Sequence, residues 1–186
     1  MPTRATCRTM PDCPQASKTD KWKLFLAALA SLAILYLVLA PFNQPLYNLL
    51  LFPIPDPRIP SVQDELDRLR ARGIESRFVE FRSANGRKIR GLFMRVPNAH
   101  RVFLYSHAKG NNLFGKLHVA ENLLTCGGSV LSYDYQGYGQ SEGKASIAGS
   151  CDDAVAAYDY LRNSEHYKAK DIIAYGESFG SGVTGH

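Results

Sequence analysis

The chain carries a serine between two glycines, in the run Gly176-Glu177-Ser178-Phe179-Gly180. The run directly follows Ile172-Ile173-Ala174-Tyr175, an apolar segment typical of a buried strand. A G-x-S-x-G pattern after a strand predicts a tight strand-to-helix turn that presents the serine hydroxyl as a nucleophile for acyl carbons. The glycines would be needed because such a turn leaves no room for side chains, and the backbone amide of Phe179 would face the developing oxyanion. The alternative is a loop of glycine and serine that caps a helix.

The elements that would position Ser178 follow from the spacing of apolar residues along the chain. The first is a helix capped by Ser61 and ending at Gly73, followed by strands at 77–82 and 89–96 that a turn at Asn85-Gly86 joins. A strand at 102–105, a helix at 113–124 and a strand at 129–133 come next. The last two elements are a helix opened by the capping box Ser150-Cys151-Asp152-Asp153 and a strand at 172–175. A hairpin followed by strand–helix–strand–helix–strand predicts an α/β fold in which helices cover a mostly parallel sheet.

Two of the predicted helices have an apolar face. On the first it comprises Leu113, Leu117, Ala120 and Leu124, with Gly127-Gly128 ending the helix. On the second it comprises Ala154, Val155, Tyr158 and Leu161. We expect both faces to pack against the sheet.

Three blocks in a fixed order resemble the α/β-hydrolase superfamily: Tyr105-Ser106-His107-Ala108-Lys109-Gly110-Asn111-Asn112, Asp134-Tyr135-Gln136-Gly137-Tyr138-Gly139-Gln140-Ser141-Glu142-Gly143, and the Ser178 run. The first is similar to the family's oxyanion loop after the third strand. The second is similar to its Asp-x-x-Gly-x-Gly-x-Ser loop after the fourth strand. Residues 78–186 most resemble membrane-anchored members, akin to serine-aminopeptidase-type and lysophospholipase-like hydrolases.

The resemblance implies an α/β-hydrolase-type sheet and hydrolysis of an ester, thioester or amide bond through Ser178. It implies a second oxyanion donor at the backbone of Lys109, although Ala108 stands where the family usually has glycine. His107 is expected to be a structural, hydrogen-bonded loop residue, and Asp134 a loop-bracing carboxylate. Gln136 occupies a position where the family often has a basic residue, and no function is assigned to it.

A serine hydroxyl needs a base, and in this fold the chain order is serine, acid, histidine. Eight residues follow Ser178, and they include His186 but no Asp or Glu. A helix after Ser178 would carry His186 about 12 Å away, at about 1.5 Å per residue. His100, His118 and His166 are expected to be exposed to solvent.

The sequence therefore predicts a truncated chain or a fragment whose full-length form is the hydrolase. The alternative is a catalytically inactive membrane protein that lacks the acid and histidine.

An uncharged apolar run extends from Leu24 to Ala40, with Trp22 at its edge. A spanning helix needs about 20 such residues, so the run predicts a transmembrane anchor. A cleaved signal peptide is the alternative, but the residues around Ala40-Pro41 make a poor cleavage site. Basic residues precede the run, and none follows it before Arg58. The positive-inside bias then places the N-terminus in the cytoplasm and the hydrolase domain on the extracytoplasmic side.

The predicted organisation is a basic tail at 1–23, an anchor at 24–42, a linker with a short helix at 43–74, and a partial hydrolase domain at 75–186. Five prolines make the linker a semi-rigid connector: Pro45, Pro53, Pro55, Pro57 and Pro60. The expected partners are a lipid bilayer and an acyl-containing small-molecule, lipid or peptide substrate.

The composition excludes several other classes of protein. The net charge is +5 over 186 residues, but five basic residues lie in the first 23, and the later ones are scattered among acids, so nucleic-acid binding is not expected. The four cysteines, Cys7, Cys13, Cys126 and Cys151, contain no C-x-x-C pair, which argues against a zinc or redox site. A disulfide framework is not expected, and palmitoylation of the tail cysteines stays open. The proposed chemistry requires no metal or cofactor.

Overall fold

The structure is a computed structural model that describes residues 18–40, 62–110 and 112–186. Most of the basic tail with Cys7 and Cys13, the predicted cap Ser61 and the proline-rich connector lie outside these residues. The described residues fall into two separate units, one helix before residue 41 and an α/β domain from residue 62 onward. The domain boundaries given above stay predictions.

The first unit is the helix α1, Lys18–Leu39. Its stretch Lys21–Leu39 is long and apolar enough to cross a membrane, by length and composition alone. The side chains of this stretch are exposed, and the Ser31 hydroxyl donates to the carbonyl oxygen of Ala27 at 2.9 Å, so it needs no partner outside the helix. A signal sequence would share these properties.

The second unit is built on five strands, each within two residues of its predicted bounds: β1 Glu75–Arg82, β2 Lys88–Arg95, β3 Val102–Ser106, β4 Ser129–Tyr133 and β5 Ile172–Gly176. The helix α2, Val62–Ala71, precedes them and is followed by Gly73, whose φ is +74°. The predicted hairpin is confirmed, because β1 and β2 pair antiparallel with Arg82 opposite Lys88. Its turn is closed by a 2.8 Å hydrogen bond from Gly86 N to Ser83 O.

The strand order is β1-β2-β4-β3-β5. The β2–β4 pair is antiparallel, and the β4–β3 and β3–β5 pairs are parallel. The sheet is therefore mixed, with three parallel strands extended by the antiparallel hairpin, and the predicted α/β fold is confirmed. Ser106 lies opposite both Tyr133 and Gly176, so the carboxyl ends of the three parallel strands meet at one edge.

Three more helices complete the domain: α3 Leu117–Leu124, α4 Ile147–Asn163 and α5 Phe179–Thr184. A 3₁₀ turn, Ala169–Asp171, leads into β5. The hydrophobic cluster on one sheet face involves α2 and α3, through Leu69, Leu117 and Ala120. The cluster on the other face involves α4 and α5, through Ala157, Leu161 and Val183.

The predicted start of the helix at residue 113 was wrong, because α3 begins at Leu117. The side-chain oxygen of Asn112 accepts hydrogen bonds from the amides of Phe114 and Gly115, both at 3.1 Å, and this local turn takes the place of the first helical turn. Leu113 is buried as expected. At the other end Leu123 is buried, and Leu124 is only partly buried.

The capping box predicted at Ser150 was also wrong, because α4 begins one turn earlier. Ser146 is the cap and accepts a 3.0 Å hydrogen bond from the amide of Gly149. Ser150 is buried inside the helix, and its hydroxyl donates to the carbonyl of Ser146 at 2.9 Å. Val155 does not belong to the packed face, because it is 54% exposed.

Candidate active site

Ser178 lies between β5 and α5 with φ 52° and ψ −113°. A residue other than glycine adopts such a backbone conformation at a cost of about 1–3 kcal/mol, and only where its surroundings enforce it. The residue is exposed, and α5 begins immediately after it. The sequence run thus forms the tight strand-to-helix turn that was predicted.

Two glycines make this turn sterically feasible. A Cβ atom on Gly176 would lie 2.3 Å from the carbonyl oxygen of Gly180, and one on Gly180 would lie 2.0 Å from that of Ser106. Both obstacles are backbone atoms, which cannot rotate aside as a side chain can. The glycines therefore let α5 approach the carboxyl end of β3 and pack beneath Ser178.

The loop from His107 to Lys116 connects β3 to α3 beside this turn. His107 is fully buried, and its Nδ1 donates to the carbonyl oxygen of Ala108 at 2.8 Å. Its ring lies 4.5 Å from that of Tyr135, whose hydroxyl donates to the His107 carbonyl at 2.8 Å. Burial raises the pKa of Tyr135, which keeps this phenol a donor. These contacts fit the structural role expected for His107.

The two predicted oxyanion donors lie on elements adjacent to Ser178. Phe179 is the first residue of α5, and its ring meets that of Tyr135 edge-on at 5.6 Å. Lys109 is exposed on the loop after His107. Ala108 does not adopt a positive φ, so its side chain introduces no backbone strain where the family usually has glycine.

Asp134 braces the loops around this edge of the sheet, as expected. It is fully buried, and its Oδ1 accepts a 2.7 Å hydrogen bond from the amide of Leu113. The same oxygen lies 3.5 Å from Nε2 of His107. A Cβ atom on Gly139 would lie 1.9 Å from Asp134 Oδ2, which explains why glycine occupies that position.

Gln136 has a bracing role that the sequence did not reveal. Its backbone amide and its Nε2 donate to the two carboxylate oxygens of Asp153 on α4, at 2.7 and 2.8 Å. Its Oε1 accepts from Asn85 in the hairpin loop at 2.8 Å. Burial of Asp153 raises the pKa of its carboxyl, an effect that the hydrogen bonds from Gln136 oppose. The buried amide of Gln136 therefore ties the hairpin loop and α4 to the end of β4.

Glu177, next to the serine, was also missed. Its Oε1 accepts from Lys116 Nζ and its Oε2 from the hydroxyl of Tyr105, both at 2.8 Å. The hydrogen bond from Lys116 lowers the pKa of Glu177 below its ordinary value. A variable position inside a short motif carries no sequence signal of its own, and the two partners lie 61 and 72 residues away.

The structure brings no histidine into a hydrogen bond with Ser178 among the described residues. His100, His118 and His166 are exposed, as predicted. His100 and His166 line a polar cavity beside the strand ends opposite Ser178. His186 lines an apolar groove of about 180 Å³ with residues of α4, β5 and α5, including Val155, Ala174 and Val183.

Comparisons with known proteins agree with this geometry. Residues 97–186 match the family model described as serine aminopeptidase, S33. Human alpha/beta hydrolase domain-containing protein 17B is 32% identical over 104 residues, which are 54% of this chain and 35% of that protein. The uncharacterized protein YfhR of Escherichia coli K12 is 26% identical over 107 residues, 55% of this chain and 38% of that protein. The chain thus spans a little over a third of the length of these relatives.

Solved structures show the same fold. An alpha-beta hydrolase from Vibrio vulnificus superposes with a TM-score of 0.63 at 24% identity, covering 77% of this chain and 50% of that one. An esterase from Pyrococcus furiosus superposes with a TM-score of 0.60 at 21% identity, covering 72% and 49%. The mixed sheet and the serine turn define a domain of the α/β-hydrolase class. The fold is α/β-hydrolase-like, and residues 97–186 are similar to the serine aminopeptidase S33 family.

Proposed function

We propose that this protein is a serine hydrolase whose full-length form cleaves ester, thioester or amide bonds through Ser178. The observation that carries the proposal is the conformation of Ser178, an exposed serine with φ 52° at the apex of a turn that two sterically required glycines hold in place. Proteins retain such a costly conformation at functional positions. A loop that merely caps a helix has no need of it.

In the proposed reaction the Ser178 oxygen attacks an acyl carbon at the carboxyl edge of the parallel strands. The backbone amides of Phe179 and Lys109 stabilise the oxyanion of the tetrahedral intermediate. A base removes the hydroxyl proton and an acid orients that base; the intermediate then expels the alcohol, thiol or amine with that proton, and water releases the acyl group from Ser178. His107 does not serve as this base, because it is buried with Nδ1 bonded to Ala108 and Nε2 facing Asp134.

The substrate class is an acyl compound, and two comparisons support this range. The Pyrococcus furiosus neighbour is described as an esterase, and the matching family is described as serine aminopeptidase. These descriptions favour ester and amide bonds respectively. The proposed substrate is therefore an acyl-containing small molecule, lipid or peptide.

We also propose that α1 anchors the protein in a membrane as an uncleaved signal anchor. Its apolar stretch of 19 residues, Lys21–Leu39, supports this. The basic residues before it favour a cytoplasmic N-terminus, with the hydrolase domain on the extracytoplasmic side. The boundaries proposed are those predicted: tail 1–23, anchor 24–42, linker 43–74 and hydrolase domain 75–186.

The competing candidate is a catalytically inactive membrane protein. The observation that favours it is that no hydrogen bond joins Ser178 to a histidine in the part of the chain that the structure describes. Such a protein would keep the turn at Ser178 as an inherited feature of the fold.

Labelling with a fluorophosphonate probe separates the two candidates. The whole protein in native membranes and its Ser178→Ala variant would be compared, with Ser181→Ala as control, because Ser181 is an exposed serine three positions after Ser178. The hydrolase proposal expects labelling that Ser178→Ala abolishes and Ser181→Ala retains. An unlabelled parent chain would favour the inactive protein, and labelling that survives Ser178→Ala would reject Ser178 as nucleophile.

A further inference from the structure

Glu177 contacts both ends of the loop that carries Lys109. Its backbone amide donates to the carbonyl oxygen of Ser106, immediately before the loop, at 3.1 Å. Its side chain accepts from Nζ of Lys116, the last loop residue, at 2.8 Å. One residue adjacent to Ser178 therefore holds the loop at its beginning and at its end.

The carboxylate of Glu177 has both oxygens engaged, because Tyr105 on β3 donates to the second one at 2.8 Å. Two donors from separate elements fix the rotation of the carboxylate as well as its distance. The side chains of Lys116 and Glu177 are 20% and 33% exposed, so water only partly screens their attraction. This geometry is more constrained than that of an ion pair on the open surface.

Lys116 is poorly placed for the stability of its own helix. It is the N-cap residue of α3, where its side chain makes no capping hydrogen bond. A cation at a helix N-terminus is unfavourable because it meets the positive end of the helix dipole. The carboxylate of Glu177 offsets this charge, so the lysine makes its favourable contact with the serine turn.

We propose that Glu177 is a positioning residue that sets the spacing between the two oxyanion donors, the backbone amides of Phe179 and Lys109. The inference rests on the function proposed for Ser178 and deepens it. The amide of Phe179 moves with the turn that contains Glu177. The amide of Lys109 moves with the loop, and the contacts with Ser106 and Lys116 keep the loop in register with the turn.

The test measures the rate of fluorophosphonate labelling and, independently of activity, the hydrogen exchange of two backbone amides. The second-order rate constant of fluorophosphonate labelling would be measured against pH for the whole chain, Glu177→Gln, Lys116→Ala and the charge-reversed double variant Glu177→Lys/Lys116→Glu. Amide hydrogen exchange at Lys109 and Phe179 would be followed in the same proteins. Glu165→Gln is the matched control, because Glu165 pairs with Arg77 beside the polar cavity, away from Ser178.

We expect Glu177→Gln and Lys116→Ala to slow labelling and to speed exchange at both amides by up to about fivefold, the size of one lost, partly exposed ion pair. The double variant should recover part of both effects, and Glu165→Gln should change neither. Labelling of the parent chain should fall as acid protonates Glu177, whereas the rate of Glu177→Gln should lack that step. Unchanged exchange at Lys109 in Glu177→Gln would overturn the inference. A parent chain that is never labelled would defeat the proposed function, while the exchange measurements would still decide the role of Glu177.

Discussion

Gly180 and Ser106 approach so closely that a Cβ atom on the glycine would lie 2.0 Å from the serine carbonyl oxygen. This contact joins the first turn of α5 to the last residue of β3. It explains why the second glycine of the serine run cannot carry a side chain. The conformation of Ser178 depends on the same approach, because α5 can begin there only if the helix lies against the sheet.

Replacing Gly180 with alanine should destabilise the domain by about 2 kcal/mol or more, because a backbone atom must shift to admit the methyl group. Gly182→Ala is the matched control, since its Cβ would meet nothing within 4 Å and its φ is not positive. That change should be neutral or stabilise the domain by up to about 1 kcal/mol, as alanine favours helix. Denaturant unfolding of the whole chain in detergent measures both. Equal effects of the two substitutions would contradict the steric account.

Gln136→Ala should cost about 1–3 kcal/mol of unfolding free energy, because it removes the side-chain donor to Oδ1 of the buried Asp153 and the acceptor of the Asn85 amide, and keeps only the backbone bond to Asp153 Oδ2. Gln63→Ala is a suitable control, since Gln63 is exposed and its side-chain hydrogen bond among the described residues is to Asp67, within α2. It should change stability by less than about 0.5 kcal/mol. Comparable losses in the two variants would mean that the Gln136 contacts do not brace the domain.

The pair of Glu177 and Lys116 predicts a pH dependence of stability. Because the pKa of Glu177 is lower in the folded than in the unfolded chain, its contribution is complete above the ordinary glutamate value of about 4.3 and is lost as pH falls through the lowered value. The parent chain should exceed Glu177→Gln by roughly 1 kcal/mol or less at neutral pH. This difference should shrink below about pH 4. Thermal unfolding between pH 3 and pH 7 checks it, and a difference that does not vary with pH would contradict the ion pair.

A charge placed in the middle of α1 should release the protein from membranes. Ala30→Arg puts a guanidinium near the centre of the stretch Lys21–Leu39, at a cost of about 2.5–3.5 kcal/mol for insertion. Ala30→Leu, which keeps the stretch apolar, is the control. The fraction of protein resistant to alkaline carbonate extraction should fall in the first variant only. A parent chain that is already extracted by carbonate would argue against an anchor.

The strands and the serine turn could be predicted because their signals are local. Short apolar runs indicate β3, β4 and β5. The glycines around Ser178 indicate a tight turn, and the motif that carries this signal is five residues long. Asn85-Gly86 likewise indicated a turn between two segments that proved to be paired. The order of the strands in the sheet was not predicted from periodicity.

The predicted helix starts were wrong where several residues could begin the helix and contacts with other parts of the fold decide which one does. Ser146 and Ser150 could each cap α4, and Gly149 weakens the case for helix between them. A Cβ atom on Gly149 would lie 2.9 Å from Ser146 Oγ and 3.2 Å from Gln136 Nε2, so the first turn of α4 requires glycine there to fit beneath Gln136. Only the folded arrangement brings Gln136 to this position.

The contacts of Gln136 and Glu177 were missed for the same reason. Both lie inside recognisable motifs, but at positions that the motif patterns themselves leave unspecified. Their partners come from other elements, such as Asp153 for the first and Lys116 for the second. Long-range polar contacts of this kind leave no periodicity in the sequence.

The most direct test of the account is to identify the residue that a fluorophosphonate modifies. The whole protein would be labelled in native membranes, digested and analysed by mass spectrometry, with heat-denatured protein as control. We expect one adduct on the native protein, on the Ser178 hydroxyl, and none after denaturation. An adduct on another serine such as Ser181, or no adduct on the native chain, would contradict it.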